Sequence, residues 1–276
     1  MKTSFFGNIL ISTFLWVIFV LLVDGLERVL LVSIFFLIPI LLSLTPTIKR
    51  DENSSSYHAF LLKSHLYLAV TIGTALLFSK GSIISGLLSI LWAVFTLALF
   101  VYGVRRFLER GWYIIEENAI DTSFLYAHLG GITLSLYCFT SDKMISHHLF
   151  MAAIHFHFTA IVSTVFIGFV GRLLPLDQKI GHVYRWVVRG TMLSPLIIGI
   201  GILTGPWIQN VGLWIYTICI SIYSYFVFLH VEKKNTITSI CIQLSTIVMS
   251  ITTVLSTIQG IFQLQGHTWI NSEQWI

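Results

Sequence analysis

The chain has 276 residues, 56% of them hydrophobic and only 10% charged, and its mean hydropathy is +0.87. That composition excludes an ordinary soluble domain, and apolar runs of about 20 residues are long enough to cross a bilayer as helices. The apolar–polar alternation of a membrane β-barrel is absent, so the expected fold is all-α, a polytopic bundle of transmembrane helices.

Read in chain order, nine apolar runs are expected to span: Ser4 to Val23, Arg28 to Thr45, Phe60 to Ser79, Ser82 to Gly103, Ile120 to Thr140, His147 to Gly171, Gly190 to Gln209, Val211 to Val231 and Ser239 to Phe262. The first reads as an uncleaved signal anchor, because no small-x-small cleavage pattern precedes Asp24. Charge supports this threading. With the amino terminus inside, the inner side receives Lys2, Lys49, Arg50, Lys63, Arg105, Arg106, Arg110, Arg172, Lys179, Arg185, Arg189, Lys233 and Lys234, and the outer side only Arg28, Lys80 and Lys143. A bias of that size in short loops follows the positive-inside rule and leaves the carboxyl terminus outside. The net charge of +4 is then explained by inner loops facing anionic lipid. The lipid bilayer is the expected partner, together with a small molecule or cofactor, and no nucleic acid is implied. The expected location is the cell membrane, as a multi-pass protein.

The connections Lys49 to Ala59, Val104 to Ala119 and Arg172 to Arg189 are too short to bury cores of their own. Residues 1–276 are therefore expected to form a single integral membrane domain, with no soluble domain. The last connection, RLLPLDQKIGHVYRWVVR, has two readings, a short interfacial helix or a solvated basic loop. The tail with Trp269 and Trp275 is expected at the outer interface. Cys138, Cys219 and Cys241 lie on three different spans and indicate neither disulfides nor a thiolate site. Gly201 and Gly205 form a small-xxx-small pattern that reads as close helix packing within the chain.

Ionisable groups inside a membrane carry the most functional information. The central parts of the nine spans hold no Asp, Glu, Lys or Arg; only His128, His155 and His157 sit deep. His65 is expected shallower, beside Lys63; His148 and His230 lie near span ends, and His58, His182 and His267 are expected in solvated loops. Counted from the outer ends of their spans, His155, His157 and His128 fall within about 6 Å of one level. His155 and His157 project from nearly opposite helix faces, so one metal ion would not take both. Imidazole is a common metal and haem ligand. His155, His157 and His128 are thus the candidate haem ligands, and the same three with His65 the candidate metal ligands. No residue set with a catalytic geometry is assigned: there is no H-E-x-x-H and no clustered desaturase box. Glu116-Glu117 followed by Phe124 and His128 has a superficial likeness to the motifs of CAAX-type intramembrane proteases, but Asp121 stands where the arginine is required.

The run from His147 through His155, Phe156 and His157 resembles the tenth transmembrane helix of haem-copper oxidase subunit I. There the two histidines of H-x-H ligate different haems from opposite faces. The resemblance implies that His155 matches the high-spin and His157 the low-spin haem ligand. The oxidase's H-P-E-V-Y segment is missing, and nine spans stand in place of twelve, so oxygen reduction is not implied. What the likeness leaves is one haem or one transition metal, with His128 or His65 as second ligand. Over the whole chain, HFHF at 155–158 followed by GFVGRLLP at 168–175 is similar to the YndJ-like family of bacterial membrane proteins. That family implies a topology and no established activity. Two functions are therefore carried forward. One is a histidine-liganded haem- or metal-binding protein with a redox or sensing role. The other is a non-enzymatic permease or membrane scaffold whose histidines line a polar path or lock helix packing.

Overall fold

A computed structural model describes residues 2–45, 52–172, 178–230 and 236–265, and every regular element among them is helical. The long helices are α1 (Lys2–Leu22), α2 (Glu27–Leu44), α3 (Glu52–Leu77), α4 (Ile83–Arg110), α5 (Ile115–Phe139), α6 (Lys143–Gly171), α7 (Gln178–Thr204), α8 (Pro206–His230) and α9 (Thr236–Leu264). With no water in a bilayer core to satisfy backbone groups, helices close those hydrogen bonds within each segment. Seven of the nine, all but α1 and α5, contain described stretches long and apolar enough to cross a membrane. In α5 the stretch is broken by Glu116, Glu117, Asn118, Asp121 and His128.

Glycines and local caps set the boundaries. Gly25, Gly81, Gly111 and Gly205 all have positive φ and stand at the joints after α1, α3, α4 and α7. Arg28 folds back on the first joint, donating from Nε to the Val23 carbonyl at 2.6 Å and from Nη2 to Asp24 at 3.1 Å. Asp142 caps α6 by accepting from the Ile145 N–H at 2.9 Å. Pro206 opens α8 at a position where no N–H is needed.

Two helices contain a wider π-turn, Ser33–Leu37 in α2 and Phe156–Ala160 in α6. In α2 the cause is local: Pro39 has no N–H to give the carbonyl four residues back, Phe35, so the backbone register loosens just before it.

The seventh span is corrected. Where apolar counting gives Gly190 to Gln209, α7 begins at Gln178 and the break falls at Gly205. Residues 178–189 therefore belong to the membrane helix itself and form no separate interfacial helix or loop; 173–177 lie outside the described residues. Gly205 is the turn, while Gly201 is the packing residue: a Cβ there would collide with the backbone of Gln209. Trp269, Trp275, His267 and the side chain of His230 also lie outside what is described.

The chain divides into two compact units. Unit 1 comprises the residues up to Arg106 together with Phe124–Phe158; unit 2 comprises Phe107–Ser123 and the described residues from Thr159 onward. In unit 1, Leu30, Leu31, Ile34, Phe35, Leu61 and Trp92 are fully buried. Glu27 meets Lys80 at 2.6 Å and accepts from the Tyr137 hydroxyl, tying α2 to α5 and to the joint before α4. In unit 2 an apolar core joins Ile115 and Ala119 of α5 to Ile167 of α6, Val188 of α7 and Ile220 of α8. On the other face of α8, the hydroxyl pairs Thr217–Thr257 at 2.7 Å and Ser224–Ser250 at 2.6 Å hold α9.

Candidate functional site

Two histidines of unit 1 flank Trp92 on α4. His65 of α3 lies edge-on to the indole with ring centroids 6.1 Å apart, and His157 of α6 lies nearly parallel to it at 6.3 Å. His65 and Trp92 are fully buried, as is His157. Their hydrogen bonds fix the tautomers. The Trp92 Nε1–H donates to His157 Nε2 at 3.4 Å, so the proton of His157 sits on Nδ1 and goes to the Ala153 carbonyl at 2.8 Å. His65 donates from Nε2 to the Ile34 carbonyl at 2.8 Å and keeps its lone pair on Nδ1.

Both contacts relate to the π-turns. Ile34 lies in the first one, where the loosened register frees carbonyls for outside donors. Ser33 donates to the His157 carbonyl at 2.8 Å, which does the same for the second. Gly130 makes room for this arrangement: a Cβ there would sit 2.7 Å from His157 Nδ1, so α5 lies directly against the imidazole.

The remaining candidates stand apart from this set. His128 is half-buried, its ring 5.7 Å from Phe100, with Nδ1 bonded at 3.4 Å to the Thr96 hydroxyl. Thr96 spends its own proton on the Ala93 carbonyl, so His128 is the donor and its lone pair is on Nε2. His155 is buried, edge-on to Phe156 at 5.2 Å. Among the described residues no group of three or more His, Cys, Asp or Glu is placed to hold a metal ion. The structure thus brings His65 and His157 together through Trp92 and leaves His128 and His155 outside that contact. One positional expectation is corrected: His58 stands on α3 with Nε2 donating to the Leu42 carbonyl at 2.7 Å, its ring beside Tyr102.

Unit 2 contains a second polar cluster that the reading of span centres passes over. Glu117, in the first turn of α5, is buried and shared by two arginines. Arg172 forks onto it with Nε–Oε1 2.6 Å and Nη2–Oε2 2.9 Å, while Arg110 reaches Oε2 at 2.5 Å and lies 3.8 Å from Asp121 Oδ2. Glu117 and Asp121 are one helical turn apart and share a face of α5. The glycines of α6 bring Arg172 into range. A Cβ on Gly168 would sit 2.5 Å from the Glu116 carbonyl, and one on Gly171 would overlap the Tyr184 hydroxyl. The signal was present in Glu117-x3-Asp121 and in the G-x2-G-R of α6, but only tertiary contact shows that the two stretches meet.

A family model described as YndJ-like protein matches residues 28–276. The chain belongs to the YndJ-like family. The uncharacterized membrane protein YndJ of Bacillus subtilis (strain 168) is 28% identical over 192 residues, which cover 68% of this chain and 34% of that protein. The chain therefore spans about a third of the length of that relative. No solved structure matches. This YndJ-like chain is a multi-pass membrane protein, and the stretches that carried the family likeness build its two polar clusters. HFHF supplies His157, and GFVGR supplies Gly168, Gly171 and Arg172.

Proposed function

We propose that this YndJ-like chain is a non-enzymatic membrane protein, of the permease or scaffold kind, whose histidines lock helix packing. One observation carries the reading: both ring nitrogens of His157 are already engaged, one by the Ala153 carbonyl and one by the Trp92 N–H. A haem does not fit there. The iron would have to displace the indole from Nε2, and the porphyrin would have to occupy space held by Trp92 and the Gly130 backbone. A metal reading would have to turn to the lone pairs of His65 Nδ1 and His128 Nε2, or to His155.

The proposed threading keeps nine crossings with the amino terminus inside. A reporter fused near Lys179 is then active inside, and one fused after Ile276 active outside. For the site, the deciding measurement is absorption and metal analysis of protein purified from cells supplied with haem and iron. The reading expects no Soret band, no stoichiometric metal and lower thermal stability for His157→Phe. A Soret band or stoichiometric metal that disappears in a folded His155→Ala, His128→Ala or His65→Ala variant would overturn it.

A further inference from the structure

Unit 2 buries more polar groups along its helix faces than an apolar core requires. The helices α7 and α8 pair antiparallel about Gly205, since a Cβ on Gly201 would meet the backbone of Gln209 and one on Gly212 would meet Ile198 N at 2.8 Å. Depth can be counted from that turn at about 1.5 Å per residue. Ser194 and Tyr216 lie at about 16 Å, Thr191 at about 21 Å, Tyr223 at about 27 Å and Tyr184 at about 31 Å. All five are buried. On α8, Tyr216 and Tyr223 are seven residues apart and share the face that carries Ile220 and Val227. On α7, Tyr184, Thr191 and Ser194 follow the buried face with Val188 and Ile198.

The deep end of this series reaches the charged cluster. The Tyr184 hydroxyl donates to the Ile167 carbonyl at 3.0 Å and lies within electrostatic reach of Glu116, Glu117 and Tyr223. Tyr216, buried on α8, marks the shallow end. Between them, several polar atoms are left over. The hydroxyls of Ser194 and Tyr223, and both polar atoms of the Asn118 side chain, are buried and find no hydrogen-bond partner among the described residues. Beside Ser194, Pro195 has no N–H to give the Thr191 carbonyl. Asn118 is one turn from Asp121 and adjacent to Glu117, at the start of the same helix.

Unpaired polar groups in a membrane interior are costly, and a buried group with no protein partner is met by water where the site is polar. The leftover set needs a molecule that both donates and accepts, because it contains hydroxyls and a carboxamide. From these observations we infer that water threads unit 2 as a hydrated polar file, running from Asn118 and the Arg110–Glu117–Arg172 cluster past Tyr223 to Ser194. Along the helix axes Tyr223 and Ser194 are about 11 Å apart with Thr191 between them, a gap that up to three hydrogen-bonded waters bridge. Such a file gives water, and protons carried along it, access from one end of unit 2 to roughly half its depth. It is independent of what the histidines of unit 1 do.

Hydroxyl-radical footprinting of the intact chain in lipid nanodiscs tests this, because radicals generated from ordered internal water label the side chains beside it. The comparison is between tyrosines of equal burial: Tyr223 at 1% exposure in unit 2 and Tyr102 at 3% in unit 1. The expected result is labelling of Tyr223 at least tenfold faster than Tyr102. Equal rates in the wild-type protein would overturn the file without recourse to any variant. Asn118→Leu, which puts an apolar side chain at the charged end, is expected to bring the Tyr223 rate down towards that of Tyr102. An unchanged rate in a folded Asn118→Leu protein would overturn the assignment of Asn118 as its entrance.

Discussion

The two units bury polar side chains in opposite ways. In unit 1, His65, His157 and Ser33 are neutral groups that each donate to a backbone carbonyl, two of those carbonyls lying in π-turns. In unit 2, Glu117 is charged and held by two arginines, while Asn118, Ser194 and Tyr223 retain unspent polar atoms. A polar side chain within a membrane helix acts as glue where its hydrogen bonds close on protein. Where they stay open, it is a candidate for contact with water, ions or solute.

The largest effect should come from breaking the charged cluster. Glu117→Leu leaves Arg110 and Arg172 facing each other without their shared carboxylate, and losing one partner of a buried ion pair costs about 3 kcal/mol or more. Thermal unfolding in detergent should show an early transition or no folded protein. Unfolding at the wild-type temperature would mean that the arginines are solvated as in a surface pair, and the contrast between the units would collapse.

Next in size are the close-approach glycines, one in each unit. Gly168→Ala drives a methyl against the Glu116 carbonyl at 2.5 Å, backbone that cannot step aside, and against the Ile120 side chain at 2.6 Å. Overpacking of this kind costs about 1 to 3 kcal/mol, and it should also loosen Arg172 from Glu117. Gly130→Ala meets the His157 ring at 2.7 Å instead, and the ring must leave Ala153 and Trp92 to yield. Combined with His157→Ala, its measured destabilisation should fall short of the sum of the two singles, because the methyl then no longer meets the ring. Full additivity would place the ring elsewhere.

How much of this was legible in the sequence differs between the units for a physical reason. The all-helical membrane class follows from composition, and the burial of His157 agrees with its place within a long apolar run. The start of α7 was not legible, because Arg185 and Arg189 look like loop residues in an apolar count. A helix closes its hydrogen bonds locally and continues past the apolar run. His58 was misplaced for the same reason. The fork between Arg172 and Glu117 joins residues 55 positions apart, and no local period encodes it. The π-turns depend partly on Pro39, which is local, and partly on donors from other helices, which are not.

A smaller effect is expected from the histidine lock itself. His157→Phe keeps the ring beside Trp92 but removes a donor to Ala153 and an acceptor for the indole, and His65→Phe leaves the Ile34 carbonyl without its donor. Interhelical hydrogen bonds of this kind are worth about 1 kcal/mol each in a bilayer, so either change should lower the unfolding temperature modestly. A loss as large as that of Glu117→Leu would mean that the histidines do more than pack.

The smallest effect distinguishes two separate bonds from one lock. Ser33 donates to the His157 carbonyl in the second π-turn, while His65 donates to Ile34, the residue next to Ser33 in the first. Ser33→Ala alone should cost about 0.6 kcal/mol, the size of an average polar contact between membrane helices. If the first π-turn is held open by His65, its closure in His65→Phe also moves the Ser33 hydroxyl away from His157. Ser33→Ala then costs little in that background. A double-mutant cycle with these two changes should give a coupling close to the whole single-mutant cost of Ser33→Ala. Zero coupling would mean that each π-turn is stable by itself, and that the contrast with unit 2 rests on separate hydrogen bonds that do not act together.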